Sequence, residues 1–207
     1  GVVIGKYFKT NRSQLKYSDL PKNLVDALVA TEDARFYEHS GIDGRGTLRA
    51  AFSLGTNGGA STLTQQLAKQ LFHRGGSSFL PFRIVQKIKE WIIAIRLERQ
   101  YTKNEILAMY CNVYDFGNYA VGVSSASQTY FSKEPKDLTI DESAILVGMF
   151  NNSSLYNPLR NPVGVKNRRD VVLGQMVKAK MITKEEKEKY QAMPIALKFK
   201  LESHREG

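Results

Sequence analysis

A single cysteine, Cys111, leaves this 207-residue chain with no internal disulfide and no CxxC metal pattern. Its three histidines, His39, His73 and His204, have no HExxH or comparable spacing, which argues against a structural metal centre. GxSxG, Walker A and GxGxxG are absent, so neither the serine-hydrolase elbow nor the common nucleotide cradles can be invoked. Ser13-Gln-Leu-Lys16 matches SxxK, but so short a pattern in a basic stretch is a chance match. No apolar run reaches the roughly 18–20 residues that a spanning helix needs. Strand-like alternation is confined to short pieces around Lys198–Leu201. Acid is scarce beside base: 20 Asp+Glu face 30 Lys+Arg, for a net charge of +10 and a pI near 9.6. That excess favours an anionic partner, whether nucleic acid, an anionic membrane surface or a phosphate-bearing substrate.

What is present reads as one mostly α-helical domain. With 42% hydrophobic and 24% charged residues, the composition is that of an ordinary globular protein large enough to bury a core. Residues 1–20 (Lys6, Lys9, Arg12, Lys16) form a basic lead-in. The spacing predicts a helix over 21–39, opened by Pro21 and stopped at Ser40-Gly41. A short helix follows near Thr47–Leu54, and another starts at Thr62, where Gln65 completes a capping-box pattern. Phe79-Leu80-Pro81-Phe82 reads as an apolar loop that either meets lipid or a partner, or folds back on the core. Residues 83–100 make the strongest helix, with Ile84, Ile88, Trp91, Ile92 and Ile95 as its buried stripe. Three more capping boxes, Thr102/Glu105, Thr139/Glu142 and Thr183/Glu186, each announce a helix, and 162–181 is a long basic one.

Chemistry gathers in three places. Glu32, Phe36 and His39 at i, i+4 and i+7 of this first helix share one face, placing a carboxylate beside an aromatic wall and an imidazole. The plain alternative is a surface helix with scattered charges. Arg83, Lys87 and Glu90 repeat that spacing and set cations beside an acid where a phosphate could lie. Here the alternative is a simple i, i+3 ion pair. Gly58-Gly59-Ala60-Ser61-Thr62 opens a helix carrying Lys69, a plausible anion site through its N–H groups. Two carboxylates in contrasting surroundings suit acid–base work at a sugar anomeric centre.

The order of these stretches resembles a known family. Glu32-Asp-x-x-Phe36-x-x-His39-x-Gly41 is followed by Gly59-Ala-Ser-Thr62-x-Thr64-Gln65-Gln66, then by Lys87-x-x-Glu90. Lys103-x-Glu105-Ile106-Leu107-x-x-Tyr110-x-Asn112, Tyr156-Asn-Pro-x-x-Asn-Pro162 and Arg168-Arg169-x-x-Val172-Leu173 complete the series. Over roughly residues 20–190 this is similar to the peptidoglycan glycosyltransferases, glycosyltransferase family 51, found in class A penicillin-binding proteins and as monofunctional enzymes.

The resemblance implies a mainly α, lysozyme-like fold with a large and a small lobe flanking an extended cleft. It places a glycosyltransferase domain at 21–190, with 191–207 as a tail or the start of a linker to a further domain. It implies polymerisation of lipid II into glycan strands with inversion, releasing undecaprenyl pyrophosphate. Glu32 would be the general base and Glu90 would act on the pyrophosphate side. Asp33, Phe36, His39, Ser61, Thr62, Gln65, Gln66, Lys69, Arg83, Lys87 and Ser154 would bind substrate or brace the site. A divalent cation, Mg or Mn, would fit at the pyrophosphate; no other cofactor is implied. The partners implied are lipid II, the growing strand, the cytoplasmic membrane surface and other cell-wall synthesis proteins, and not nucleic acid. The expected place is the outer, periplasmic or extracellular, face of the bacterial cytoplasmic membrane. The chain opens on Gly-Val-Val-Ile-Gly rather than Met, consistent with an N-terminal transmembrane anchor lying outside it. The apolar segment between 50 and 82 would correspond to the family's membrane-dipping region.

Several positions depart from the family pattern. Gln86-Lys87 replaces an Arg-Lys pair, with Arg83 one turn back as a substitute cation, and Ala60 replaces Gly. Ala108, Cys111 and Asn151 also differ, Asn151 standing where Lys is frequent. Two other functions compete. A lysozyme-like glycan hydrolase would need the two acids but not Lys69, Lys87 or the apolar segment. A basic membrane-binding module would need no acids at all.

Overall fold

The computed structural model describes residues 14–52, 61–72 and 80–200. Among them lie nine α-helices: α1 (Lys22–Glu32), α2 (Gly44–Phe52), α3 (Leu63–Phe72), α4 (Leu80–Gln100), α5 (Lys103–Val113), α6 (Gly122–Phe131), α7 (Ile140–Asn151), α8 (Pro162–Lys178) and α9 (Lys184–Ala192). The described residues contain no strand, only an isolated bridge between Asp115 and Val121. Near Lys198 the chain instead lies along the end of α6, where the Lys198 and Lys200 N–H groups donate to the Tyr130 and Thr129 carbonyls at 3.0 and 2.9 Å; Leu201 is outside the described residues. At the other end, Leu15 is held by both polar atoms of the Asn112 side chain.

Local chemistry sets the helix starts. Thr102, Thr139 and Thr183 accept from the N–H of Glu105, Glu142 and Glu186, whose carboxylates reach back to the threonine N–H. The box at Thr62 is only half made: its hydroxyl accepts from Gln65 N–H at 3.2 Å, while the Gln65 amide turns to the Gly41 carbonyl. The centre of the body is α7, buried without a break from Ser143 to Phe150, with α1 and α8 packed against it. Tyr110, Tyr114, Phe116 and Phe150 cluster beside it with neighbouring ring centroids 4.6–6.2 Å apart. Cys111 lies in the same core, where burial pushes its thiol up to about 12 and leaves it unreactive. The smaller layer is α3, which meets α5, and α4, which packs mainly on α3.

Three expectations fail. α1 ends at Glu32, because Asp33 leaves the helical region (φ −156°, ψ 71°), and Phe36–Glu38 is a separate 3-10 turn. Glu32, Phe36 and His39 therefore do not share a helical face. The stripe on α4 also points the other way. Ile84, Ile88 and Ile92 are 54%, 49% and 47% exposed, Trp91 and Ile95 are only half-buried, and the buried side carries Glu90, Ala94 and Leu97. α4 starts at Leu80, so exposed Phe82 is helical rather than part of a loop, while Phe79 lies outside the described residues.

The reason is close approach at Gly41. Its φ is +93°, and a Cβ there would stand 2.9 Å from the backbone C and O of Ala94. α4 must therefore carry a small residue at Ala94, which faces inward while the isoleucines of the opposite stripe face out. Gly41→Ala is expected to combine a left-handed backbone penalty with this clash and lower the unfolding free energy by about 2–4 kcal/mol. The check is a fall in urea midpoint at unchanged slope.

Candidate active site

Glu32 is the last residue of α1, and its carboxylate is held from two directions. Arg168 Nη2 on α8 stands 3.1 Å from Oε1, and Gln66 Nε2 on α3 donates to Oε2 at 3.3 Å. Gln66 is itself fixed by Tyr110 OH, which donates to its Oε1 at 2.7 Å. Burial, and after it the charge of Glu32, holds the Tyr110 phenol well above its ordinary range, so it stays a donor. The carboxylate thus lies where α1, α3 and α8 converge.

Asp33, leaving the helix, turns its carboxylate to the start of α3 and accepts from Leu63 N–H at 3.0 Å. This anion sits on the positive end of α3. Hence the first N–H of the expected anion site is already taken from within, and Gly58–Ala60 lie outside the described residues. His39 Nε2 lies 3.0 and 3.1 Å from the two Asp33 oxygens, while its Nδ1 accepts from Gly41 N–H at 3.2 Å. That pattern assigns the ring proton to Nε2. The Lys103 ammonium donates to the His39 carbonyl at 2.6 Å and to Glu98 at 2.8 Å, and stands 4.3 Å from the centre of the buried Phe36 ring. Thr62 donates from its hydroxyl to the Gly41 carbonyl at 2.7 Å. Asp33, Phe36, His39, Thr62 and Gln65 therefore form the joint between the 33–41 turn, α3 and α4.

A second cluster begins on α4. Lys87 Nζ is 3.1 Å from Oε2 of buried Glu90 and donates to Ser61 Oγ at 2.7 Å. The pair expected from spacing is present, but it is not a loose surface bridge: the Glu90 side chain is 11% exposed. Lys69 on α3 and Arg83 on α4 are exposed, as is Ser154, whose N–H donates to Asn152 Oδ1. Among the described residues no recorded hydrogen bond or ion pair joins these three to the clusters.

Arg168, Tyr110 and Lys103 also contribute; each stands in one of the motifs, but nothing in its local spacing points to its partner. Among the described residues no three His, Cys, Asp or Glu converge on a point that could hold a metal. Glu90, the buried carboxylate of this cluster, already carries the Lys87 ammonium. A Mg or Mn ion that kept its waters and took substrate phosphates would need only one or two carboxylates from the protein, and here it would draw on Glu90.

A model of the family described as Transglycosylase matches residues 1–177. The chain is 40% identical over 203 residues to penicillin-binding protein 1A of Vibrio cholerae, covering 96% of this chain and 24% of that one. It is 40% identical over 207 residues to penicillin-binding protein 1F of Bacillus subtilis, covering 98% of this chain and 28% of that one. It thus spans about a quarter of the length of these relatives. The crystal structure of penicillin-binding protein 1A from Haemophilus influenzae superposes with a TM-score of 0.56 at 27% identity, over 92% of this chain and 19% of that one. The fold is the mainly α, lysozyme-like one expected.

Proposed function

The chain belongs to the transglycosylase family, and from that premise we propose that it polymerises lipid II, with Glu32 as the general base. Glu32 takes the proton of the GlcNAc 4-hydroxyl on an incoming lipid II. The freed oxygen attacks the anomeric carbon of the MurNAc at the reducing end of the growing strand. The bond from that carbon to the pyrophosphate oxygen breaks, undecaprenyl pyrophosphate leaves with the electron pair, and configuration inverts. The acceptor hydroxyl takes the place that water has in an inverting hydrolase.

The observation that carries this reading is the Lys87 ammonium held between Ser61 and buried Glu90. A hydrolase acting on finished glycan has no leaving pyrophosphate and no use for a cation fixed there. Lys87, with exposed Lys69 and Arg83, supplies positive charge to the leaving group, and Glu90 orients Lys87. Asp33, Phe36, His39, Thr62 and Gln65 brace the turn that follows Glu32, and Ser154, exposed in the 152–161 loop, would meet substrate. The test is to give the chain lipid II and, separately, finished glycan. Polymer from the first and no shortening of the second is expected; shortening without polymer would refute the proposal.

The exposed apolar face of α4 fits a surface that dips into the outer leaflet of the cytoplasmic membrane, which would supply lipid II at the site. No helix of the described residues is long and apolar enough to cross a membrane. Phe82, Ile84 and Ile88 are each about half exposed or more. Replacing all three by Ser is expected to weaken vesicle binding at least tenfold, from about 1 kcal/mol of apolar burial per side chain. Turnover of detergent-solubilised lipid II should stay within twofold. A collapse of solution turnover would mean that these residues support the site.

A further inference from the structure

Arg168 and Arg169 are neighbours on α8 with opposite fates. Arg169 is fully buried and well satisfied: Nη1 stands 2.9 Å from Asp141 and 3.0 Å from the Met193 carbonyl, and Nε is 3.1 Å from Asp170. Its role is to hold α8 to buried Asp141 on α7 and to the residue after α9. Arg168 is different. Its recorded ion pair among the described residues is to Glu32, 136 positions away, and its buried Nε has no partner. A buried guanidinium placed for stability would satisfy that N–H. This one is placed by the carboxylate instead.

The surroundings are cut to let it reach. Gly148 lies on α7 beside the Arg168 stem, and a Cβ there would come within 3.0 Å of Arg168 Cγ and 3.6 Å of its Cβ. The guanidinium is 5.8 Å from the centre of the Tyr156 ring, which flanks it in the loop before α8. The Arg168 and Glu32 side chains are 17% and 11% exposed, so the pair is largely shielded from water. Opposite Arg168, Gln66 and Tyr110 fix the other carboxylate oxygen. Glu32 ends its helix, with no following turn to limit its rotamer.

We propose that Arg168 is a positioning residue for the transfer reaction: with Gly148 giving it room, it fixes the Glu32 carboxylate from α8 so that the base meets the acceptor hydroxyl already aligned. This rests on the reading of Glu32 as base. Arg168 acts through Glu32 and does not itself bind substrate, so its loss changes turnover rather than affinity.

The experiment compares steady-state kinetics on lipid II for the unaltered chain, Arg168→Met, Arg168→Lys and Gly148→Ala, with a thermal melt of each. Arg168→Met is expected to lower kcat about a hundredfold, the usual cost of a misplaced catalytic group, with KM within twofold. Arg168→Lys should recover roughly a tenth of the lost activity or more, since a shorter cation still pairs with the carboxylate. Gly148→Ala keeps Arg168 but shifts its stem by a few tenths of an ångström, and should show a smaller loss, in kcat alone. If Arg168→Met does not fold, these two variants decide. Glu32→Gln/Arg168→Met should be no slower than Glu32→Gln alone, because the two residues act as a unit. A raised KM at unchanged kcat would make Arg168 a substrate contact and overturn the proposal. An inactive Glu32→Gln beside a fully active Arg168→Met would sink this inference while sparing the base. A Glu32→Gln variant with near-normal turnover would bring down both.

Discussion

Glu32→Gln is expected to lower polymerisation of lipid II by about 10²–10⁴-fold, the range that a positioned general base contributes. An amide has the shape of the carboxylate but cannot take the acceptor proton. The fold should survive. The new amide oxygen can still accept from Arg168, but its NH2 then faces the Gln66 Nε2 that formerly donated to Oε2. Gln66 relieves the conflict by flipping its amide, since the Tyr110 hydroxyl that donates to Oε1 can equally accept from Nε2. The net cost is no more than one hydrogen bond, about 1 kcal/mol. Glu32→Asp is an informative companion. It keeps the charge but shortens the reach by one methylene, and should also lose most of its activity if alignment matters as much as basicity. Normal turnover by Glu32→Gln, measured as polymer per minute, would remove Glu32 from the chemistry. An unfolded Glu32→Gln would instead make its role structural.

Arg169→Met should cost the most stability. The variant leaves Asp141 charged in the core and strips the Gln191 and Met193 carbonyls of a donor. Removing one partner of a buried pair typically costs about 3–5 kcal/mol. Burial already pushes the Asp141 carboxyl above its ordinary value, with the Arg169 guanidinium pulling it back. The sign follows from that direction. A carboxyl raised in the folded state favours folding most when protonated, and its contribution declines as pH rises from the unfolded value through the folded one. Without Arg169 the carboxyl rises further. The variant's deficit should therefore be complete at neutral pH and narrow as the solution is acidified toward the carboxylate range. Denaturant midpoints across pH would check this. Asp141→Leu together with Arg169→Met should recover part of the loss, since an empty apolar pair is cheaper than a stranded charge.

What the sequence showed clearly was what local chemistry determines. The capping boxes at Thr102, Thr139 and Thr183 are self-contained, because both partners lie within one turn. The box at Thr62 was half wrong because Gln65 had a better partner in Gly41, 24 residues away. The grouping of Glu32 with Phe36 and His39 assumed that α1 continues. Asp33 leaves the helix, and its carboxylate reaches the first N–H of α3, a tertiary contact that intrahelical spacing cannot reveal. For α4 the periodicity found an apolar face but not which way it points. A hydrophobic stripe looks the same whether it meets a core or a lipid surface. No local spacing gives Arg168 its role, since its partner is 136 residues away. Lys87 and Glu90 were paired from spacing, yet the burial of Glu90 and the reach of Lys87 to Ser61 depend on α3 lying alongside α4.

One measurement bears on the central claim more directly than the rest. Purified chain would be given lipid II labelled in the disaccharide, and the product digested with a muramidase specific for β-1,4 linkages. Transfer with inversion at the MurNAc anomeric carbon should give a polymer that the muramidase reduces completely to labelled disaccharide-peptides. A polymer that resists digestion, or free disaccharide released to water with no polymer, would contradict it.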